Sequence, residues 1–217
     1  MKKLIMLGGG GHARVLIDII KSHKIHEIAG ILDPNLQPCF YISDIPVLGN
    51  DDLLLDIYNS GIHNACIGLG SIGNNDGRKR LYEKAKLSRF DIPPIIHLQA
   101  VVSVATEYSE GVQIMAGAIV QPGSLIGANT IINTGAIIEH DCRLGKHIHI
   151  CPGSVVSGGC SIGDGSFIGA GATIIHGIKI GENCLIAAGA VVVGDVPDFF
   201  KAMGVPARIG SIKHEKG

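Results

Sequence analysis

"IINTGAIIEHDCRLGKHIHICPGSVVSGGCSIGDGSFIGAGATI", residues 131–174, repeats one six-residue formula without a break. Counting by sixes from Ile114 to Val192 gives fourteen positions, all of them Ile, Leu or Val. Three residues after each of the first thirteen stands Gly, Asn or Asp, with His147 the one exception. Those types tolerate the positive φ of a tight corner. The position after that is Ala, Ser, Thr or Cys in eleven of the thirteen, failing at Ile148 and Ile178. An aliphatic, a turn residue and a small residue at period six describe short flat strands joined by sharp corners. A helix of 3.6 residues per turn cannot hold that register. The reading is a parallel β-helix.

Working outward, the pattern stops near residue 96, and what precedes it alternates strand and helix. "KLIML" (3–7) reads as a buried strand, "GGGGH" (8–12) as a tight loop and "ARVLIDIIKSH" (13–23) as an amphipathic helix. "EIAGILD" (27–33) and "NACIGLG" (64–70) read as further strands; "DDLLLDIYNSG" (51–61) and "RKRLYEKAKLS" (78–88) read as helices. That βαβαβα order implies a small parallel sheet of about three strands. "FDIPPIIH" (90–97) carries two prolines that stop any helix or central strand. The expected organisation is an α/β domain over 1–95 and a β-helix domain with a short tail over 96–217.

Composition sets limits on function. Of 217 residues, 31 are Gly, 4% are aromatic and none is Trp, which suits a chain that turns often and packs small aliphatic side chains. A net charge of −1 offers no electrostatic grip on nucleic acid or an anionic membrane. No apolar run reaches membrane-spanning length. The six cysteines (39, 66, 142, 151, 160, 184) show neither CxxC pairing nor disulfide spacing. The apolar start Leu4–Leu7 ends at once in glycines, unlike a signal peptide, so a soluble cytoplasmic protein with reduced thiols is expected. Cys142 and Cys160, eighteen residues apart in the small-residue slot, are read as core fillers.

The repeat resembles the hexapeptide acyltransferases, whose fold is a left-handed parallel β-helix with three hexapeptides per coil; the hand comes from that resemblance. Six motifs extend it along the chain: "GGGGHARVLID", "ILDP", "IGNNDGRKRLY", "IEHDC", "HIHICPGSVVSGG" and "GVPARIG". Together they resemble the PglD/NeuD group of bacterial nucleotide-sugar acetyltransferases. That group implies acetyl-CoA as co-substrate, no metal, a UDP-linked 4-amino-4,6-dideoxy sugar as acceptor and a homotrimer with active sites between subunits.

The resemblance makes His140 the general base toward the sugar amine and Asp141 the carboxylate that orients it. Imidazole suits a base because it titrates near neutrality and carries its lone pair on a reachable nitrogen. His149 corresponds to a residue contacting acetyl-CoA, and Ala170 and Ala188 to positions beside its pantetheine arm. Asn133, one hexapeptide before His140, either positions a substrate group or caps a corner.

In the first domain Gly8, Gly10 and Ala13 nearly fit G-x-G-x-x-G/A between strand and helix, and Asp33 ends the next strand. Alone this says NAD; three strands are only half a dinucleotide fold, which favours a mononucleotide or a nucleotide sugar. The resemblance puts Gly11, His12 and Ala13 near the phosphates or sugar and Asp33 and Pro34 near the uracil. Either Gly70 or Gly73 takes the loop position that follows. The alternatives are an O-acetyltransferase of sialic or related acids, an N-acetyltransferase of a GDP- or dTDP-linked amino sugar, a zinc enzyme on the same helix, and a non-catalytic sensor. His140, His147, His149 and His176 lack the spacing of the β-helical zinc enzymes, and an intact Glu-His-Asp cluster speaks against a mere sensor.

Overall fold

The structure is a computed structural model and describes residues 1–211. The described chain folds as two compact units, one of Met1–Ser71 with Asp76–Leu98 and one of Ile72–Asn75 with residues 99–211.

In the first unit, strands β1 (Lys2–Leu7), β2 (His26–Leu32), β3 (Tyr41–Ile42), β4 (Ile45–Gly49) and β5 (Asn64–Ile67) form a sheet in the order β3-β4-β2-β1-β5. All pairs are parallel except the β3–β4 hairpin. Leu4 to Leu7 are fully buried, as a central strand covered on both faces requires. Helix α1 (Gly11–His23) lays Ala13, Leu16, Ile17 and Ile20 against the sheet, the i, i+3, i+4, i+7 stripe of its sequence. Helices α2 (Leu54–Asn59), entered through a 3₁₀ turn at Asp51–Leu53, and α3 (Asp76–Leu87) complete the unit.

Five strands replace the three read from the sequence. The extra hairpin is hidden in "YISDIPVLG" because it turns on Ser43 and Asp44, both at positive φ (47° and 65°), in place of the usual Asn-Gly. Pro46 sits where a strand is least expected, on the side of β4 that faces the two-residue β3.

The second unit is the left-handed parallel β-helix. Two-residue strands stack in three sheets with a strict eighteen-residue register: Ile119 on Ile137 on Val155, Leu125 on Arg143 on Ser161, Ile131 on His149 on Phe167. All fourteen aliphatics of the repeat are buried, none more than 4% exposed. All thirteen turn residues take positive φ, from 50° at Asn183 to 75° at Gly123, His147 included (57°). His147 therefore turns a corner, and its Nδ1 lies 2.9 Å from the Asn129 amide one coil earlier. Cys142 and Cys160 are buried, their thiols donating to the carbonyls of Ser157 (3.3 Å) and Ile175 (3.1 Å). The hydrogen bond between the two thiols pushes Cys142 above its ordinary range, with burial adding to it, and draws Cys160 below its own.

The corner geometry predicts how position 147 responds to substitution. His147→Gly should stay within about 1 kcal/mol of the parent, since relief at positive φ offsets the lost bond to Asn129. His147→Val, β-branched in the left-handed region, should cost about 1–3 kcal/mol. Urea denaturation of both variants checks this; equal stability would show that the corner places no demand on the residue.

Candidate active site and nucleotide pocket

Each corner of the β-helix turns through two outward residues, the second at positive φ. At one corner these are His140 and Asp141. Asp141 has φ 58° and its N–H donates to Pro122 O (3.0 Å), while His140 O accepts from Gly159 N–H (2.9 Å), so backbone bonds to the coils on either side fix the pair. The side chains then meet, with His140 Nδ1 2.9 Å from Asp141 Oδ2. A carboxylate on Nδ1 holds the proton there and leaves the Nε2 lone pair as the basic site. Both side chains remain open, 56% and 72% exposed.

Two glycines bracket this pair. A Cβ on Gly123, one coil before, would run into Asp141 Oδ1; a Cβ on Gly158, one coil after, would lie 2.5 Å from His140 Nε2. The Gly158 backbone lies outside the left-handed region. Of the thirteen residues in its slot, Ala116 to Ala188 counted by sixes, it alone is glycine. The backbone does not ask for glycine there; the imidazole does. Slot-by-slot comparison of the repeat carries that signal, and the sequence reading missed it.

His149 lies elsewhere on the prism, in the column Ile131–His149–Phe167, 6% exposed and edge-to-face with Phe167 at 5.4 Å. Asn133 Oδ1 accepts Thr134 N–H (2.7 Å), so its amide nitrogen faces His149 Nε2 (3.0 Å) as a donor. Nε2 must accept, which puts the ring proton on Nδ1. Asn133 thus orients a histidine as well as standing beside a corner. Ala170 and Ala188 are exposed at neighbouring levels of another corner, Gly189 N–H donating to Ala170 O (2.9 Å).

In the first unit the loops after β1 and β5 touch. A Cβ on Gly68 would strike Gly8 O, and one on Gly8 would meet Leu69 N at 2.9 Å. Asp33 ties the glycine loop to its own turn, its two carboxylate oxygens accepting Gly9 N–H (2.8 Å) and Asn35 N–H (2.9 Å). Arg78 is buried and clamps the second loop, donating from one nitrogen to Ile67 O (2.9 Å) and Leu69 O (2.8 Å); burial lowers its guanidinium to about 9. α1 starts at Gly11 with no side-chain cap, and Ala13 is fully buried beneath it. Gly70 sits beside His12, its notional Cβ 3.2 Å from the His12 Cβ, whereas Gly73 has open space around it and belongs to the other unit.

Asp33 and Pro34 open onto a cavity of about 400 Å³ that Gly8, Leu69, Arg80 and Lys84 also line. Lys84 is held by Asp51 (2.9 Å) and Asp52 (3.2 Å), and the Asp51 hydrogen bond above all raises its ammonium above the ordinary value. Arg80 and Lys84 escaped the sequence reading; the signal was the stripe Gly77, Arg80, Leu81, Lys84 at i, i+3, i+4, i+7 on one face of α3. No group of His, Cys, Asp or Glu among the described residues could hold a metal ion, and no described helix is long and apolar enough to cross a membrane.

Residues 3–85 match the PglD N-terminal domain, 118–146 the hexapeptide repeat of succinyl-transferase and 159–194 the bacterial transferase hexapeptide. A mutant perosamine N-acetyltransferase from Caulobacter crescentus, solved with CoA and GDP-perosamine, is similar over 98% of both chains, with 38% identity and a TM-score of 0.91. The acetyltransferase domain of PglB from Neisseria gonorrhoeae, solved with acetyl coenzyme A, is 34% identical over 95% of this chain and 98% of its own, with a TM-score of 0.87. UDP-N-acetylbacillosamine N-acetyltransferase of Bacillus subtilis is 34% identical over 127 residues, 54% of this chain. That match spans about half of the Bacillus enzyme (52%).

The packing at Gly158 can be tested directly. Gly158→Ala should fold with stability within about 1 kcal/mol of the parent, because the methyl displaces an exposed ring and no core atom. The His140 imidazole should swing away from Asp141, seen as a change in its ¹⁵N resonances. Unchanged resonances would mean that the ring does not rest over Gly158.

Proposed function

The chain belongs to the nucleotide-sugar acetyltransferases that join a PglD N-terminal domain to a hexapeptide-repeat β-helix, and from that premise we propose that it transfers the acetyl group of acetyl-CoA to the 4-amino group of a UDP-linked 4-amino-4,6-dideoxy sugar. The observation that carries the proposal is the His140–Asp141 pair, an imidazole whose Nδ1 is held by a carboxylate and whose side chain is more than half exposed. The amine nitrogen attacks the thioester carbonyl, its proton passes to His140 Nε2, and the carbon–sulfur bond breaks to release CoA. A thioester is already activated toward amines, so the transfer is direct and forms no acyl-enzyme. Asp141 keeps the Nδ1 tautomer and steadies the imidazolium. His149, Ala170 and Ala188 are assigned to acetyl-CoA, and the enzyme is expected to be a cytoplasmic homotrimer with active sites between subunits. Light scattering that gives the mass of one chain would contradict the trimer.

The nucleotide is assigned to the cavity of the first unit. The start of α1 at Gly11–His12–Ala13 has no side-chain cap, and the positive end of a helix favours the diphosphate. Asp33 and Pro34 are placed at the base, Gly70 beside His12 completes the loop in preference to Gly73, and Arg80 and Lys84 join the lining. A GDP-linked acceptor is the second reading, favoured by the likeness to the GDP-perosamine complex over nearly the whole chain. Steady-state CoA release with UDP-, dTDP- and GDP-linked 4-amino sugars decides between them. The expected result is kcat/KM highest by at least tenfold for the UDP sugar; a GDP preference selects the second reading, and no turnover with any amino sugar removes both.

His140→Ala should lower kcat roughly 10²–10⁴-fold, the usual size of a general-base contribution. Asp141→Asn, which still fits a left-handed corner, should cost less in the same direction. Near-normal kcat for His140→Ala at saturating substrates would remove the base assignment.

Asp33→Ala should raise KM for the nucleotide sugar roughly ten- to a hundredfold, the worth of one hydrogen bond to a charged group, while KM for acetyl-CoA and kcat change little. Because Asp33 also ties down Gly9, the melting temperature should fall as well. A lower melting temperature with unchanged KM would leave Asp33 a purely structural residue.

A further inference from the structure

The cavity of the first unit lies along one face of α3, and two contacts fix how that helix crosses the sheet. At its start, a Cβ on Gly77 would lie 3.3 Å from Leu69 Cδ2, in the loop after β5. Two turns later Lys84 meets Asp51 (2.9 Å) and Asp52 (3.2 Å), which follow β4. In the sheet order β4-β2-β1-β5, the helix therefore passes the strand ends from the β5 side to the β4 side. Gly8 follows β1 and Asp33 follows β2, so the glycine loop, Asp33 and the Asp51–Lys84 pair line the cavity in that order. The Arg80 guanidinium leans back toward the helix start, its Nη2 3.9 Å from the same notional Gly77 Cβ. Lys84 is the cation of the far end.

With the diphosphate at the glycine loop, a nucleotide laid along this cavity carries its base past Asp33 toward Asp51 and Lys84. A volume of about 400 Å³ is that of a small-molecule site, and Leu32, Leu69 and Leu81 supply walls for a flat ring. The far end presents an ammonium donor beside a carboxylate acceptor. We propose that Asp51 and Lys84 select the base, reading an edge on which a carbonyl oxygen adjoins a ring N–H. The carbonyl accepts from Lys84, which has a third N–H beyond the two that Asp51 and Asp52 engage, and the ring N–H donates to Asp51. Uracil, thymine and guanine carry that edge. Cytosine and adenine carry an amino group beside a bare ring nitrogen, which turns a donor toward the ammonium and a lone pair toward the carboxylate. The Asp51 and Lys84 side chains are 22% and 42% exposed, so water only partly replaces a bond that the wrong base fails to make. The hydrogen bond to Asp51, helped by Asp52, raises the Lys84 ammonium above its ordinary value and keeps it a donor. The inference rests on the nucleotide reading of this cavity and on no step of the acetyl transfer. It admits the UDP and GDP readings alike and rejects the other two bases.

Calorimetric titration with UDP, GDP, CDP and ADP tests the selection without turnover. The parent should bind UDP and GDP roughly 10- to 100-fold more tightly than CDP and ADP. Lys84→Met keeps the aliphatic stem and removes the donor, and Asp51→Ala removes the acceptor. Each should weaken UDP and GDP by roughly fivefold or more and leave CDP and ADP within about twofold, so that the preference collapses. Retained CDP binding also shows that the variant is folded. An ion pair that merely shapes the cavity would weaken all four diphosphates alike, and that result overturns the proposal. A parent that binds all four within about threefold of one another overturns it too. If the parent binds none of them, the nucleotide site falls and this proposal with it. Binding without base preference leaves that site in place and removes only the role of Asp51 and Lys84.

Discussion

A left-handed backbone conformation at every sixth residue is the constraint on which the β-helix depends. Thirteen successive corners take it, and each fixes where the next strand begins, so the aliphatic columns stay inside and the corner residues stack outside at an eighteen-residue interval. The candidate site is made from this device. Asp141 serves the corner, since a short polar side chain visits the left-handed region at modest cost, and serves the imidazole beside it. His140 is positioned by the backbone bonds of its corner and by the coils on either side. That explains how a histidine more than half exposed can hold a defined orientation: the register of the coils and two glycines do the work that a closed pocket does elsewhere.

The period-six pattern made the β-helix legible because each hexapeptide states its geometry locally: an aliphatic to bury, a residue tolerant of positive φ and a small residue in the tight space after it. His147 breaks the composition rule and still obeys the geometric one, with φ 57°. The Glu-His-Asp cluster stood out in the sequence because three titratable side chains in a row depart from the aliphatic, turn and small residues around them. Three features were not legible for physical reasons. The β3–β4 hairpin is short and turns on Ser-Asp, so neither periodicity nor turn residues mark it. The contact of Gly158 with His140 joins residues eighteen apart and appears only when slots are compared across coils. Arg80 and Lys84 lie on a charged helix face that would look the same if it were merely solvated.

The first unit shows how one residue carries two tasks. Read from the sequence, Asp33 is a ligand-binding acid at a strand end. In the structure its carboxylate is already engaged by Gly9 and Asn35 N–H groups, with lone pairs to spare on a group that lines the cavity. Holding the glycine loop and facing a nucleotide are compatible, since the loop it holds is the one proposed to carry the diphosphate. Arg78 plays the corresponding part for the second loop, at the cost of burying a guanidinium. Polar bonds thus help to set both loops, beside the close backbone approach of Gly8 and Gly68.

The central claim is that the bare backbone at Gly158 works by placing the His140 base. A double-mutant cycle on kcat addresses it, because two changes that act through one group are not additive. Gly158→Ala should cost roughly 10²-fold in the parent, the scale of an ångström-level misplacement of a catalytic group. It should cost almost nothing further once His140 is already Ala. A second full loss in the His140→Ala background would contradict the claim and show that Gly158 acts on something other than the base.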